Sequence, residues 1–422
     1  MKVLVIGGGG REHAIIWKLK QSPKVDKIYC APGNGGISEL AECVPIPVMD
    51  FEKLIVFAKK EGIGLTVVAP DDPLAAGAVD AFEAAGLRAF GPNKAAAVIE
   101  GSKAFSKDLM KKYHIPTAAY EVFDNSGDAI SYIRAQDQFP VVVKADGLAL
   151  GKGVIIAQDL NEAETAVREI MDDKVFGAAG GKVVIEEFLT GPEISVLAFT
   201  DGKVVRPMVS AQDHKRAFDN DEGPNTGGMG TFSPSRIYTE ELARECMEKI
   251  FLPTMRAMNA EGRTFKGVLY FGLMKTAQGV KVIEYNCRFG DPETQVVLPR
   301  LKTDLFDIFN AVIDEELETI PIEWDDNAAV CVVLASGGYP RQYAKGYSID
   351  GIKQAESLGA LVFHAGTVYE DGAFRTAGGR VLGVTATGQD LDAAIRQAYR
   401  FVDLISFQDM HFRKDIGIKK DQ

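Results

Sequence analysis

Cysteine, tryptophan and long apolar runs are all scarce in this 422-residue chain. Its five cysteines (Cys30, Cys43, Cys246, Cys287, Cys331) are scattered and form no Cys-x-x-Cys pair. That excludes a zinc knuckle and fits reduced thiols in a cytoplasmic protein. No segment is long enough to span a membrane, and the apolar start at 1–6 meets glycines too soon for a signal peptide. Positive charge is in deficit, with a net charge of -12, which argues against nonspecific nucleic-acid binding. A local cluster of lysine, arginine and glycine can still hold a phosphate in an acidic protein. Internal repeats, low-complexity segments and charged tails are missing too.

Two nucleotide signatures are also lacking. A dinucleotide fingerprint needs a third glycine three residues after the second, but Glu12 or His13 stands there. It also needs an acid after the second strand, where the chain reads Cys30-Ala31-Pro32. A P-loop is excluded because Lys152 is followed by Gly153 and Val154 rather than Ser or Thr.

What is present is an ordinary globular composition, 46% hydrophobic and 25% charged, long enough for two to four domains. Short strands at 2–6, 27–30, 65–69 and 88–90 alternate with helices at 11–20, 51–60 and 73–85, which predicts a doubly wound parallel sheet. The turn Gly7-Gly8-Gly9-Gly10 between the first strand and helix either offers N–H groups to a phosphate or simply joins the two. Beyond a helix at 93–113 carrying Lys103, a strand at 139–144 ends in Lys144. A glycine-rich loop follows, from Ala145 through Asp146, Gly147, Gly151 and Lys152 to Gly153. Nine residues is long for a hairpin loop, and the composition suits a lid over a polyphosphate. A strand at 183–189 is expected to end in Glu186-Glu187-Phe188-Leu189, and a hairpin at 194–210 follows it. The stretch 212–230 has no periodicity and reads as a long functional loop. A helix is expected over 237–260. From about 327 a small α+β domain is expected, with strands at 328–335, 361–367 and 381–387 and no constellation of its own. The domains are expected at 1–101, 102–326 (with a lid subdomain at about 118–190) and 327–422.

The stretch from Val282 to Glu293 carries the strongest chemical signal. On a regular strand Val282, Glu284 and Asn286 share one face. A carboxylate and an amide oxygen two residues apart suit a hard divalent cation, and Arg288 and Asp291 follow. Taken alone, the same residues also suit a solvated edge strand.

Together these pieces resemble the ATP-grasp ligases. Three motifs narrow the resemblance to the glycinamide ribonucleotide synthetase (phosphoribosylamine–glycine ligase) family: Gly7-Gly8-Gly9-Gly10-Arg11-Glu12-His13-Ala14, the loop from Gln212 to Gly230, and Asn286-Cys287-Arg288-Phe289-Gly290-Asp291-Pro292-Glu293. The resemblance extends to Thr376-Ala377-Gly378-Gly379-Arg380-Val381-Leu382. It implies an N-terminal α/β domain, a central ATP-grasp domain with a mobile glycine-rich lid, and a small C-terminal domain. By the same resemblance Lys103 and Lys144 contact ATP phosphates beneath the lid. Glu186, Phe188 and Leu189 hold adenine, and Glu193 the ribose. Glu284 and Asn286 bind Mg²⁺ or Mn²⁺. Gly8, Gly9, Gly10, Asn34 and Asp71 shape the site for glycine and 5-phosphoribosylamine, together with Asp213, His214, Lys215, Arg216, Asn225, Thr226, Gly227, Gly228 and Met229. Arg288, Lys144 and Asp291 carry the catalysis. The chain departs from the family pattern at Asp71, where a glutamate is usual, and at Pro192, where an acid is usual. The expected protein is a monomeric cytoplasmic ligase acting on small molecules, with no nucleic-acid or membrane partner. Another ATP-grasp carboxylate–amine ligase and a non-catalytic nucleotide-binding protein are the alternatives. His13 and His214 are expected to position other groups, and Cys287 to pack.

Overall fold

The computed structural model describes residues 1–148 and 153–418. The expected lid residues Gly151 and Lys152 lie outside them. At the N-terminal end, five parallel strands order around a central Lys2–Gly7, flanked by Lys27–Pro32 and Leu65–Val68. Val3, Leu4, Val5 and Ile6 are all fully buried, as a strand covered on both faces requires. The doubly wound expectation holds. Two predicted helices divide. One breaks at Gly77, whose φ of 96° suits glycine, into Asp71–Ala76 and Ala78–Ala84. The other breaks at Ser102, which is extended and caps the helix Lys103–Lys112 by accepting from the Phe105 N–H.

Two four-stranded sheets follow. In one, Val141–Ala145 lies between Val154–Ala157 and Val183–Glu187, all antiparallel. Helices Ser126–Gln136 and Leu160–Met171 back it with their apolar faces. The strand stops at Glu187, so Phe188 and Leu189 lie just beyond it. In the other, Glu193–Thr200 and Gly267–Thr276 lead to Gly279–Asn286. That last strand corrects one expectation. A bulge falls at Ile283: Leu273 pairs with Val282, and Gly272 with Glu284. The extra residue reverses the alternation. Val282 therefore joins Tyr285 and Cys287 in the core, while Glu284 and Asn286 stay together on the open face. Burying Val282 and Tyr285 contributes about 1.5–3 kcal/mol each, which fixes the strand on either side of the bulge.

The 212–230 stretch is not structureless. It contains the hairpin of Arg216–Phe218 with Glu222–Asn225. Its end, Gly230–Ser233, pairs with Ala328–Ser336 in the C-terminal sheet, which also holds Arg380–Gly388 and Leu361–His364. Aperiodic polar sequence hid the local hairpin, and the pairing of Gly230–Ser233 was hidden because its partner lies about a hundred residues away. Thr367–Glu370 is a separate strand, paired with Ala373–Thr376. The helix expected from 237 starts at Glu240 and runs to Ala260 through a π-turn at Met247–Phe251.

Candidate active site

The Ile283 bulge turns Glu284 toward four cations on separate elements. Lys215, from the 212–230 stretch, places its Nζ 3.5 Å from Glu284 Oε1 and 3.2 Å from Glu193 Oε2. Lys144, at the end of its strand, places Nζ 3.4 Å from the Ile283 carbonyl. Lys103 opens its helix and donates to the Gly147 carbonyl at 2.9 Å. Arg288 completes the set. Lys215 above all, and then Lys144, Lys103 and Arg288, hold the Glu284 carboxyl down at about 2 against the effect of burial. A carboxylate kept ionised, with an amide oxygen beside it, fits a hard cation that takes its remaining ligands from phosphate and water. The strand opposite adds no acid, since Gly272 and Tyr270 face Glu284 and Asn286. Among the described residues no group of three or more His, Cys, Asp or Glu side chains could hold a metal.

Arg288 Nη2 lies 3.1 Å from buried Glu100 and donates to Asn286 Oδ1 at 3.3 Å. Burial works against its charge, but Glu100 and Asp71 raise it above its ordinary value. Asp71, at the start of its short helix, thus belongs to the same electrostatic group. Glu186 is buried and shared by two lysines, Lys144 Nζ and Lys107 Nζ, each at 2.9 Å. Asp146 Oδ1 accepts from Ser102 Oγ and the Ala104 N–H, tying the base of the lid to a helix start, and its charge acts on Lys103. Gly153 is buried at the far end of the lid, and Phe188 is exposed.

A second cluster surrounds the N-terminal glycines. Gly8 has no room for a side chain: a Cβ there would lie 2.5 Å from the Gly33 carbonyl oxygen. Asn34 Nδ2 donates to the Gly8 carbonyl at 2.9 Å and to the His364 carbonyl at 2.8 Å. Gly9 and Gly10 face Asp291. Asp291 accepts from Gln295 at 2.8 Å and lies 3.5 Å from Arg380. Burial opposes its charge, yet Arg380, Arg11 and Gln295 hold its carboxyl below the usual range. Arg380 also donates to the carbonyls of Gly227 and Asp291. Gly228 packs on Asp213 and Pro292, and burial pushes the Asp213 carboxyl well up, with Glu293 adding to it.

Other expected residues stand further out. Arg216 and Asn225 pair in the hairpin, Thr226 Oγ1 donates to the Lys215 carbonyl, and Met229 is core. His214 is half-buried, and desolvation holds it at about 4. His13 is held at about 3, also by burial, and its Nδ1 accepts from the His364 N–H at 2.8 Å. Both are neutral at pH 7. Cys287 is buried and its thiol pushed well up by burial, so it packs rather than reacts.

Family models supply the decisive comparison. The N domain of phosphoribosylglycinamide synthetase matches residues 1–100, its ATP-grasp (A) domain residues 101–294, and its C domain residues 329–419.

The chain belongs to the phosphoribosylglycinamide synthetase family.

Curated relatives agree with this membership. The phosphoribosylamine–glycine ligase of Caldanaerobacter subterraneus subsp. tengcongensis is 50% identical over 417 residues, 99% of each chain. That of Vibrio parahaemolyticus is 50% identical over 422 residues, 99% of this chain and 98% of its own. The crystal structure of phosphoribosylamine–glycine ligase from Thermotoga maritima superposes with a TM-score of 0.86 at 33% identity, covering 99% of this chain and all of that one. The biotin carboxylase domain of a Hydrogenobacter thermophilus 2-oxoglutarate carboxylase, solved with MgADP, shares the fold at 15% identity and a TM-score of 0.73, covering 97% and 91%. The family resemblance read from the motifs is thereby borne out.

Within this family fold, the sequence reading gave no role to Glu100, Lys107, Glu293 or Arg380, although Glu293 and Arg380 stand inside its motifs. Glu100 had a faint signal, as a lone acid closing the run Ala95-Ala96-Ala97-Val98-Ile99. The C-terminal region is not without a constellation: it brings Arg380, the His364 backbone and Tyr339, whose hydroxyl accepts from the Gly227 N–H. Their contacts come from tertiary packing.

Proposed function

We propose that these two clusters together carry out the reaction of the chain's family. The chain is an ATP-dependent ligase that joins glycine to 5-phosphoribosylamine, giving glycinamide ribonucleotide, ADP and phosphate in purine biosynthesis. The observation that carries the assignment of place is Glu284, held ionised amid Lys103, Lys144, Lys215 and Arg288. Phosphoryl transfer chiefly demands positioned positive charge around the transferring group.

In this reading Lys103 and Lys144 bind the ATP phosphates, and the 146–153 segment covers them. Glu186, Phe188 and Leu189 line the adenine site, and Glu193 takes the ribose. Glu284 and Asn286 hold Mg²⁺ or Mn²⁺, which when bound offsets phosphate charge. The carboxylate of glycine attacks the γ-phosphorus, ADP leaves, and a glycyl phosphate forms. Arg288 steadies the charge on the transferring phosphoryl group. The amine of phosphoribosylamine then attacks the acyl carbon, and phosphate leaves. The glycine turn, Asn34, Asp71, Asp291 and the Asp213–Gly228 stretch seat glycine and phosphoribosylamine. Excluding water protects the acyl phosphate.

Five free cysteines fit a reducing compartment, and we take the enzyme to be cytoplasmic and monomeric. Among the described residues no helix is long and apolar enough to cross a membrane. The test is product analysis. ADP should form only with glycine and phosphoribosylamine both present; AMP and pyrophosphate would overturn the chemistry. Nucleotide binding without any ADP release would favour a binding protein instead.

A further inference from the structure

Lys107 has no part in the chemistry above, yet it is among the most buried charged side chains of the molecule, at 2% exposure. It lies one helical turn after Lys103, on the inner face of Lys103–Lys112. Its Nζ is 2.9 Å from Glu186 Oε2 and donates to Thr117 Oγ1 at 2.8 Å. Thr117 Oγ1 in turn donates to the Val282 carbonyl at 2.8 Å, and Thr117 forms an isolated parallel bridge with Val282. The Val282 N–H donates to the Pro116 carbonyl. Lys144 sits on the other side of the same carboxylate and reaches the next carbonyl, that of Ile283. Two ammonium groups thus clamp one buried carboxylate, and each then reaches one of two consecutive carbonyls at the bulge that delivers Glu284.

We propose that Lys107 is a positioning residue for phosphoryl transfer: it fixes the Glu186 carboxylate that holds Lys144 and, through Thr117, fixes the backbone bulge that aims Glu284. The inference rests on reading the Glu284 cluster as the nucleotide and metal site. Two arguments support it. A buried ion pair generally adds little stability over an apolar pair of the same volume, so what it supplies here is geometry. Two lysines against one glutamate also leave a surplus positive charge beside the place where phosphate is to bind. Burial draws the Lys107 ammonium down to about 8 although Glu186 opposes this, so it stays mostly charged at neutral pH.

The test uses the full chain, with Mn²⁺ titration in the presence of saturating ADP as a readout separate from turnover. Lys107→Met should lower kcat about 30-fold and weaken Mn²⁺ binding about fivefold, leaving the KM for glycine and phosphoribosylamine unchanged. Lys107→Arg should restore most of both. Thr117→Val keeps the ion pair and cuts only the link to Val282. It should weaken Mn²⁺ about fivefold, and it decides the matter if Lys107→Met does not fold. A folded Lys107→Met chain with kcat and Mn²⁺ affinity within twofold of wild type would overturn the proposal, as would an unaltered Mn²⁺ affinity in Thr117→Val. Failure of the wild-type chain to bind Mn²⁺ or release ADP would instead overturn the underlying reading, and this inference with it.

Discussion

Around Glu284 four cations from four stretches of chain converge on one carboxylate; around Gly8 the lining is backbone, held by Asn34, Asp291 and Arg380. The first cluster works through charge placed in advance, supplied by a helix start, a strand end and two loop positions. The second works through close approach, and it needs residues more than three hundred positions apart, such as Asn34 and His364. The difference teaches where each half is vulnerable. Removing one charge from the first leaves another buried and unpaired. Adding one methyl group to the second closes space that backbone cannot yield.

Breaking the charged half should give the largest effect. Arg288→Met leaves Glu100 buried without its partner and should cost about 3–5 kcal/mol in urea unfolding, partly recovered by adding Glu100→Gln. If the single variant unfolds like wild type, the pair is not a buried one. Next comes Glu284→Gln, which should lower turnover roughly 100-fold and weaken Mn²⁺ binding in parallel. Near-normal turnover at low Mg²⁺ would return that strand to a solvated edge.

The backbone half should respond differently. Gly8→Ala should raise the KM for glycine and phosphoribosylamine about tenfold through a clash of about 1–3 kcal/mol with the Gly33 carbonyl, while the KM for ATP holds. An equal rise for ATP would show that the two halves are not separable. The smallest effect concerns His13, whose folded pKa of about 3 lies below its unfolded value. Below about pH 6.5 the unfolded chain takes up the proton first, so stability falls with pH until about pH 3. His13 should account for about 1 kcal/mol of the loss near pH 5.8, so the decline should be shallower by that amount in His13→Asn while His214 and His364 keep their own shares, as thermal midpoints across pH would register.

Much of the charged half was legible beforehand. Lys103, Lys144, Glu284, Asn286 and Arg288 stand in local patterns of strand, glycine loop and alternation, and the structure gathers them. The Val282 face was misread because a bulge is set by pairing with Gly272 and Leu273, which alternation along one strand does not encode. The hairpin inside 212–230 was missed because its short strands are polar and aperiodic, and the pairing of Gly230–Ser233 because its partner strand lies about a hundred residues on. Glu100 and Lys107 were silent, and Arg380 stood in a motif without a role, for a related reason: their importance lies in what they face.

By itself the sequence determined the parallel N-terminal sheet, since buried strands read as unbroken apolar runs, and determined the family, since its long motifs are chemically specific. The tertiary structure alone decided how the C-terminal strands close the glycine pocket and where the strand bulges to turn Glu284 outward. Both depend on contacts between distant segments, where packing of the whole core selects among conformations that local sequence leaves open.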